Sequence, residues 1–304
     1  MSACSEHHPE SEIATVESVN STEFKVHRRF DRMARLTGVE GLERLAKAHV
    51  MVVGVGGVGS FAAEALARSG VGKITLVDFD MVCVTNSNRQ IQATKGKIGQ
   101  LKASVLAERL ELINPQAVIK AIPWFYDQRT ADLLLKGKNK PDYVIDAIDN
   151  VTAKCHLIAT CKQLNIPIVV SSGASGRWDP TQIQVADLTK TKVDPLAATV
   201  RKILRRQYNF SQYGKWHIPA VFSAEPLQEP VVLPYDKNGE FQCVCPNGEN
   251  AYHNCEERHV IWGTAGFVTG AFGLTCASVV VKAIIGDAMP QQTATTAPVQ
   301  EEKS

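Results

Sequence analysis

The 304-residue sequence lacks a strong charge of either sign, an apolar leader and any Cys-x-x-Cys pair. Against 31 acidic side chains stand 33 Lys and Arg, a net charge of +2. No global field therefore draws nucleic acid to the whole surface, and any basic contact with it must be local. Met1 to Asn20 is polar and acidic with no apolar run, so it does not read as a secretory leader. The eight cysteines are accordingly expected to be reduced in a cytoplasmic chain rather than paired as a disulfide framework. Without paired Cys-x-x-Cys motifs, no regular structural zinc site is spelled out. Cys243, Cys245, Cys255 and His259 make a looser group; its irregular spacing reads more plainly as loop residues without metal. No internal repeat is visible.

Charge is missing from one long stretch, Val260 to Val281, which meets the ~20-residue length needed to span a bilayer. Gly263, Gly266, Gly270 and Gly273 interrupt it, and Glu256, Glu257 and Arg258 precede it. Small residues at helical spacing permit close packing, so a buried core helix is expected in preference to membrane contact.

What is present alternates strand and helix. Ala48–Val55 is an apolar strand that runs into glycines, and Val58–Ser69 is a helix closed by Gly70. Lys73–Val77 is a strand ending at Asp78, and Gln100–Ile113 a helix stopped by Asn114-Pro115. Tyr143–Ile148, Val151–Leu164 and Ile166–Ser171 read as strand, helix and strand. This is the pattern of an α/β, Rossmann-like, doubly wound and mostly parallel sheet with helices on both faces. Beyond Gly176 the texture changes. Gln182–Val185 is a candidate strand, Pro195–Gln207 a basic helix, and Phe210–Cys255 loop-rich. The expected organisation is a disordered tail at 1–25, a nucleotide-binding part at 26–178, a substrate-facing part sharing the sheet at 179–288, and a second disordered tail at 289–304.

Gly54-Val55-Gly56-Gly57-Val58-Gly59 follows a strand and opens a helix. Glycines there make the tight turn and let backbone approach phosphate, and Asp78 follows at the position that accepts from ribose hydroxyls. Alone, this pattern would favour a dinucleotide. The residues that follow favour ATP. They are Asp80, then Asn86, Arg89 and Lys102, then Asp149 just past a strand end. Arg89 and Lys102 can neutralise a triphosphate while a carboxylate attacks the α-phosphorus. Asn86 can donate to a phosphate oxygen, and Asp149 with Asp80 can hold Mg²⁺.

Together these residues resemble the ubiquitin-activating-enzyme superfamily, whose members bind ATP·Mg²⁺ and adenylate a carboxyl group. The resemblance implies that Gly54, Gly56, Gly57, Gly59, Asp78, Asp80, Asn86, Arg89, Lys102 and Asp149 bind the nucleotide. It further implies a homodimer in which an N-terminal arginine, Arg32 first and Arg35 second, reaches the partner's ATP. Within the superfamily, Arg29-Phe30, Cys83 to Ile91, Asp179 to Leu188 and Asp194 to Ala197 resemble the tRNA threonylcarbamoyladenosine dehydratases. That implies adenylation and ring closure of a modified adenosine beside the tRNA anticodon, no zinc, and a link to a cysteine desulfurase system. Adenylation of a small sulfur-carrier protein is the competing expectation. Arg201, Lys202, Arg205 and Arg206 are candidates for tRNA contact on one face of the basic helix, with a solvated surface as the alternative. Tyr208, Phe210, Tyr213 and Trp216 follow, more as packing residues than as base-stacking ones. Cys245 and Cys255 fall in a loop where a thiolate could be reached, while Cys83, Cys155, Cys161 and Cys276 sit in apolar contexts and are expected in the core; no nucleophile is nominated.

Overall fold

The computed structural model describes residues 24–234 and 261–288. One sheet contains β1 (His49–Val53), β2 (Lys73–Val77), β3 (Val118–Ile122), β4 (Tyr143–Asp146), β5 (Ile168–Ser171), β6 (Ile183–Asp187) and β7 (Pro219–Ser223). Its spatial order is β3-β2-β1-β4-β5-β7-β6. Every pairing is parallel except that of β6 with β7. Strand order therefore grows outward in both directions from β1 and β4. Their carboxyl ends form the switch point at which α/β sheets of this kind take their ligands.

The central strands are apolar on both faces because both faces are covered. In β1, Val50 and Val52 enter one core and Met51 and Val53 the other. The first core is built with α2 (Gly59–Arg68), α3 (Lys102–Ile113) and α7 (Gly266–Ile285). The second is built with α4 (Gln128–Leu135), α5 (Val151–Gln163) and α6 (Pro195–Gln207). A further helix, α1 (Asp31–Lys47), packs on α7 and is broken at Gly38, whose φ is 73°.

The uncharged stretch forms a helix only from Gly266 onward, and it lies against α2. A Cβ at Gly273 would meet the Val58 carbonyl oxygen, and one at Gly270 would touch the Phe61 ring at 3.3 Å. The glycines thus set the helix-to-helix approach, as expected for a core helix. Val268, Phe272, Cys276 and Val280 are fully buried, while Phe267 and Leu274 remain exposed on the outer side. Residues 1–23 of the N-terminal tail, the C-terminal tail, and Cys243, Cys245, Cys255 and His259 lie outside the described residues.

Candidate nucleotide-binding site

The turn between β1 and α2 is held by its glycines and by one clamped peptide. Gly54 has φ +86°, and a Cβ there would stand 2.7 Å from the Ala147 carbonyl oxygen. A Cβ at Gly59 would collide with the Gly54 carbonyl. Only glycine allows both approaches. At Gly56 the nearest atom to a Cβ is the Gln90 amide at 3.7 Å, so this glycine leaves room beside the turn. Between them Val55 is fixed from both sides. Its N–H donates to Asp78 Oδ2 at 2.7 Å, and its carbonyl accepts from Gln92 Nε2 at 2.7 Å.

Asp78 stands at the end of β2 and also accepts the Asp80 N–H on Oδ1 at 2.9 Å. Carboxylate oxygens have two lone pairs each, so both can take a further donor. The next loop returns to α3, whose first residue is Lys102. Its backbone N–H donates to the Asp80 carbonyl at 2.9 Å and its Nζ pairs with Asp80 Oδ2 at 2.8 Å. Burial opposes the charge on Lys102, but Asp78 and Asp80 outweigh it, and Asp149 adds to them; the net effect raises its pKa. Lys102 therefore stays cationic. Asp149 itself is exposed, in the loop between β4 and α5. The glycine turn, Asp78, Asp80, Lys102 and Asp149 thus come together at the switch point.

Asn86 and Arg89 lie on the adjoining turn. Asn86 is buried, and its Oδ1 accepts the Cys83 N–H at 3.0 Å, so it shapes the turn. The Arg89 guanidinium donates to the Thr85 carbonyl at 2.8 Å and to Asn88 Oδ1 at 3.0 Å. Arg32 is exposed on the first turn of α1. Arg35 pairs with Asp31 at 3.1 Å.

Three supporting residues lie outside the sequence-predicted set. Gln92 clamps the glycine turn, but nothing in its neighbourhood marks it except burial. Lys154, fully buried, pairs with Asp146 at 2.8 Å and donates to the Ser171 carbonyl at 3.0 Å, joining the ends of β4 and β5. A lone lysine beside Cys155 and Ile158 on a buried helix face was its signal. The third is Arg177, buried after β5, which pairs with Asp194 at 3.4 Å. Asp194 also accepts the Gly173 N–H at 3.0 Å and caps α6 through the Ala197 N–H at 2.7 Å.

The basic helix differs from the expectation. Its four cations do not share one face. Arg201 turns inward to the Leu188 carbonyl and the Thr191 hydroxyl, and Arg205 lies 5.2 Å over the Trp216 ring. Lys202 and Arg206 alone of the four are exposed. The helical step of 100° per residue places neighbouring residues on different rows. Trp216 packs edge-on against Phe210 at 4.8 Å, so both act in packing, as expected. Tyr213 is exposed. Cys83, Cys155, Cys161 and Cys276 are buried as expected. Burial pushes the Cys155 thiol up to about 11 and that of Cys276 up to about 12, which keeps both protonated and unreactive.

A doubly wound sheet with this glycine turn, its acid pair and a buried lysine at the switch point defines the class: a nucleotide-binding α/β protein of the ubiquitin-activating-enzyme-like kind. The ThiF family model matches residues 30–303, and the chain belongs to that family. It is 45% identical to the tRNA threonylcarbamoyladenosine dehydratase of Haemophilus influenzae over 260 residues, 84% of this chain and 93% of the relative. It is 42% identical to the Escherichia coli protein of the same name over 272 residues, 86% of this chain and 96% of that one. The crystal structure of the Escherichia coli dehydratase in complex with ATP superposes with a TM-score of 0.72 at 42% identity, covering 87% of this chain and 96% of that one.

Proposed function

We propose that the chain is an ATP-dependent tRNA threonylcarbamoyladenosine dehydratase. It binds ATP at the glycine turn and adenylates the threonyl carboxylate of the modified base. A carboxylate oxygen attacks the α-phosphorus, and pyrophosphate leaves. The carbamoyl oxygen of the same group then attacks the activated acyl carbon, AMP departs with the former carboxylate oxygen, and a five-membered ring closes. The net result is loss of water from the base. Ring closure is intramolecular, so effective molarity replaces an enzyme nucleophile.

The observation that carries this reading is the Lys102–Asp80 pair beside the clamped Val55 peptide at the switch point. Lys102 and Arg89 supply the positive charge that the α-phosphoryl group needs as it accepts the nucleophile. Asp78 takes the ribose hydroxyls. Among the described residues no group of three or more metal-ligating side chains occurs. The site instead offers Asp80 and the exposed Asp149. One or two carboxylates plus substrate phosphates suit Mg²⁺ rather than a softer metal. When bound there, Mg²⁺ would screen the triphosphate charge.

Arg32, exposed on the first turn of α1, is the residue assigned to the ATP of a second copy of the chain, with Arg35 as the alternative. Helix α6, which starts at the carboxyl end of β5, is the described part of the substrate-facing segment assigned to the tRNA. Mass spectrometry of tRNA nucleosides after incubation with enzyme and ATP tests the whole reading. Conversion of threonylcarbamoyladenosine to its cyclic form, with AMP and pyrophosphate released, is expected. Intact substrate alongside ATP cleavage on an added sulfur-carrier protein would overturn it.

A further inference from the structure

Several surface helices balance their cations with acids one turn away. Arg35 pairs with Asp31, Arg44 with Glu40, Lys47 with Glu43, Arg68 with Glu64 and Lys136 with Asp132. Helix α6 departs from this rule. Over its 13 residues it holds no acid, and its cations fall into two like-charged rows, Arg201 with Arg205 and Lys202 with Arg206. Like charges at that spacing repel and disfavour the helix. The flanking segments add Lys190, Lys192 and Lys215, all exposed. Asp194, the acid that begins the helix, is buried and already engaged by two backbone N–H groups and by Arg177. Among the described residues no ion pair balances Lys202 or Arg206, so the outer surface of this element is basic.

The inner row fixes the outer one. Arg201 is held by Leu188 and Thr191, and Arg205 lies on Trp216, whose carbonyl accepts Lys162 Nζ at 3.1 Å. Burial and the neighbouring Arg205 charge both lower the pKa of Arg201, so the repulsion reaches inside the fold. The Asp194 contact with Gly173 anchors the start of α6 at the carboxyl end of β5, on the same sheet edge as the nucleotide site. The exposed positions of α6 are Pro195, Ala198, Thr199, Lys202, Arg206 and Gln207. None is a large apolar residue of the kind that enters lipid.

We propose that Lys202 and Arg206, with Lys192 and Lys215 of the flanking loops, are the docking surface for the phosphate backbone of the tRNA. It holds the RNA while the modified base reaches the sheet edge. The proposal rests on the dehydratase reading. Neutralising phosphates releases counterions, so affinity should fall steeply with salt, by a log–log slope of roughly 0.7–0.9 per contact.

The test uses the full chain and an unmodified tRNA transcript, with affinity measured by fluorescence anisotropy across a salt series. Lys202→Glu with Arg206→Glu is expected to weaken binding at least tenfold at physiological salt and to flatten the slope by roughly 1.4–1.8. Lys192→Glu with Lys215→Glu, in loops, is expected to act in the same direction. The melting shift caused by ATP should stay as in the unaltered protein, which separates a lost surface from a lost fold. Binding and slope unchanged in both double variants would overturn the proposal. So would tRNA affinity retained while affinity for vesicles of phosphatidylglycerol and phosphatidylcholine is lost. If the variants keep their tRNA affinity while the unaltered chain still cyclises the modified base, the surface is wrong and the function stands. If the unaltered chain neither binds nor cyclises, both fall.

Discussion

Two buried lysines stand at the carboxyl edge of the sheet, and their surroundings separate chemistry from folding. Lys102 pairs with Asp80, which is itself 29% exposed, so the pair opens toward ligand. Lys154 and Asp146 are 1% and 0% exposed, and they bridge β4 to β5 with no opening. Breaking a closed buried pair by removing one partner costs roughly 3–5 kcal/mol, because the other charge is left uncompensated. Lys154→Met is expected to lose that amount in urea unfolding, and Asp146→Leu with Lys154→Met less. Lys102→Met is expected to lower turnover about 10²-fold or more, as loss of a charge-stabilising donor does, with a smaller change in the unfolding midpoint. Equal stability losses at the two sites would contradict the distinction. Lys102 was legible in the sequence because it follows a recognisable glycine, acid and arginine series. Lys154 was not, because its partner and its burial arise only when β4 and β5 pair. Asn86 was legible as a member of the series, yet its Oδ1 is taken by the Cys83 N–H, a local cap that the series does not reveal.

At the level of elements, strands buried on both faces announced themselves as apolar runs, and so β1, β2, β4 and β5 were readable. β3 was not. It is an edge strand with Lys120 at its centre and only Ile122 buried. β7 opens on Pro219 inside a stretch rich in loop residues, and its burial depends on pairing with β5 and β6. α4 has only 8 residues, and α1 carries Gly38 and Gly41, which weaken the helical signal. α7 was readable as a helix but ambiguous in destination, since an apolar run describes a core helix and a membrane span alike. Its packing on α2 carries a prediction of its own. At Gly273 the obstructing atoms include the Val58 carbonyl and the Ala62 N–H, which are backbone and cannot turn aside. Gly273→Leu should force α7 off α2 and cost roughly 1–3 kcal/mol or more by overpacking. Because α2 begins at the glycine turn, the same change should reduce the melting shift caused by ATP. Gly270→Ala meets only the Phe61 ring and should stay within about 1 kcal/mol of the unaltered protein. If both variants melt alike, the close approach of α7 to α2 is not what fixes the turn.

For the whole molecule, a net charge of +2 conceals a division, among the described residues, between acid-balanced helices and the basic face of α6. It also conceals how stability responds to pH. His49, at the start of β1, is buried with its Nε2 2.8 Å from the Thr75 hydroxyl. Burial and the Lys73 charge bring its pKa down from 6.5 to about 4. The folded chain therefore keeps this ring neutral at pH values where the unfolded chain protonates it. The resulting stability is fully present above pH 6.5 and is lost as the pH falls toward 4. One proton bound by the unfolded state alone gives a slope of at most about 1.4 kcal/mol per pH unit. Urea unfolding between pH 7 and pH 4.5 should show a steeper decline for the unaltered protein than for His49→Gln, with the two slopes merging above pH 7. Parallel declines throughout would mean that His49 is protonated in the folded state, and that the inner end of β1 is wetter than its packing against Thr75 implies.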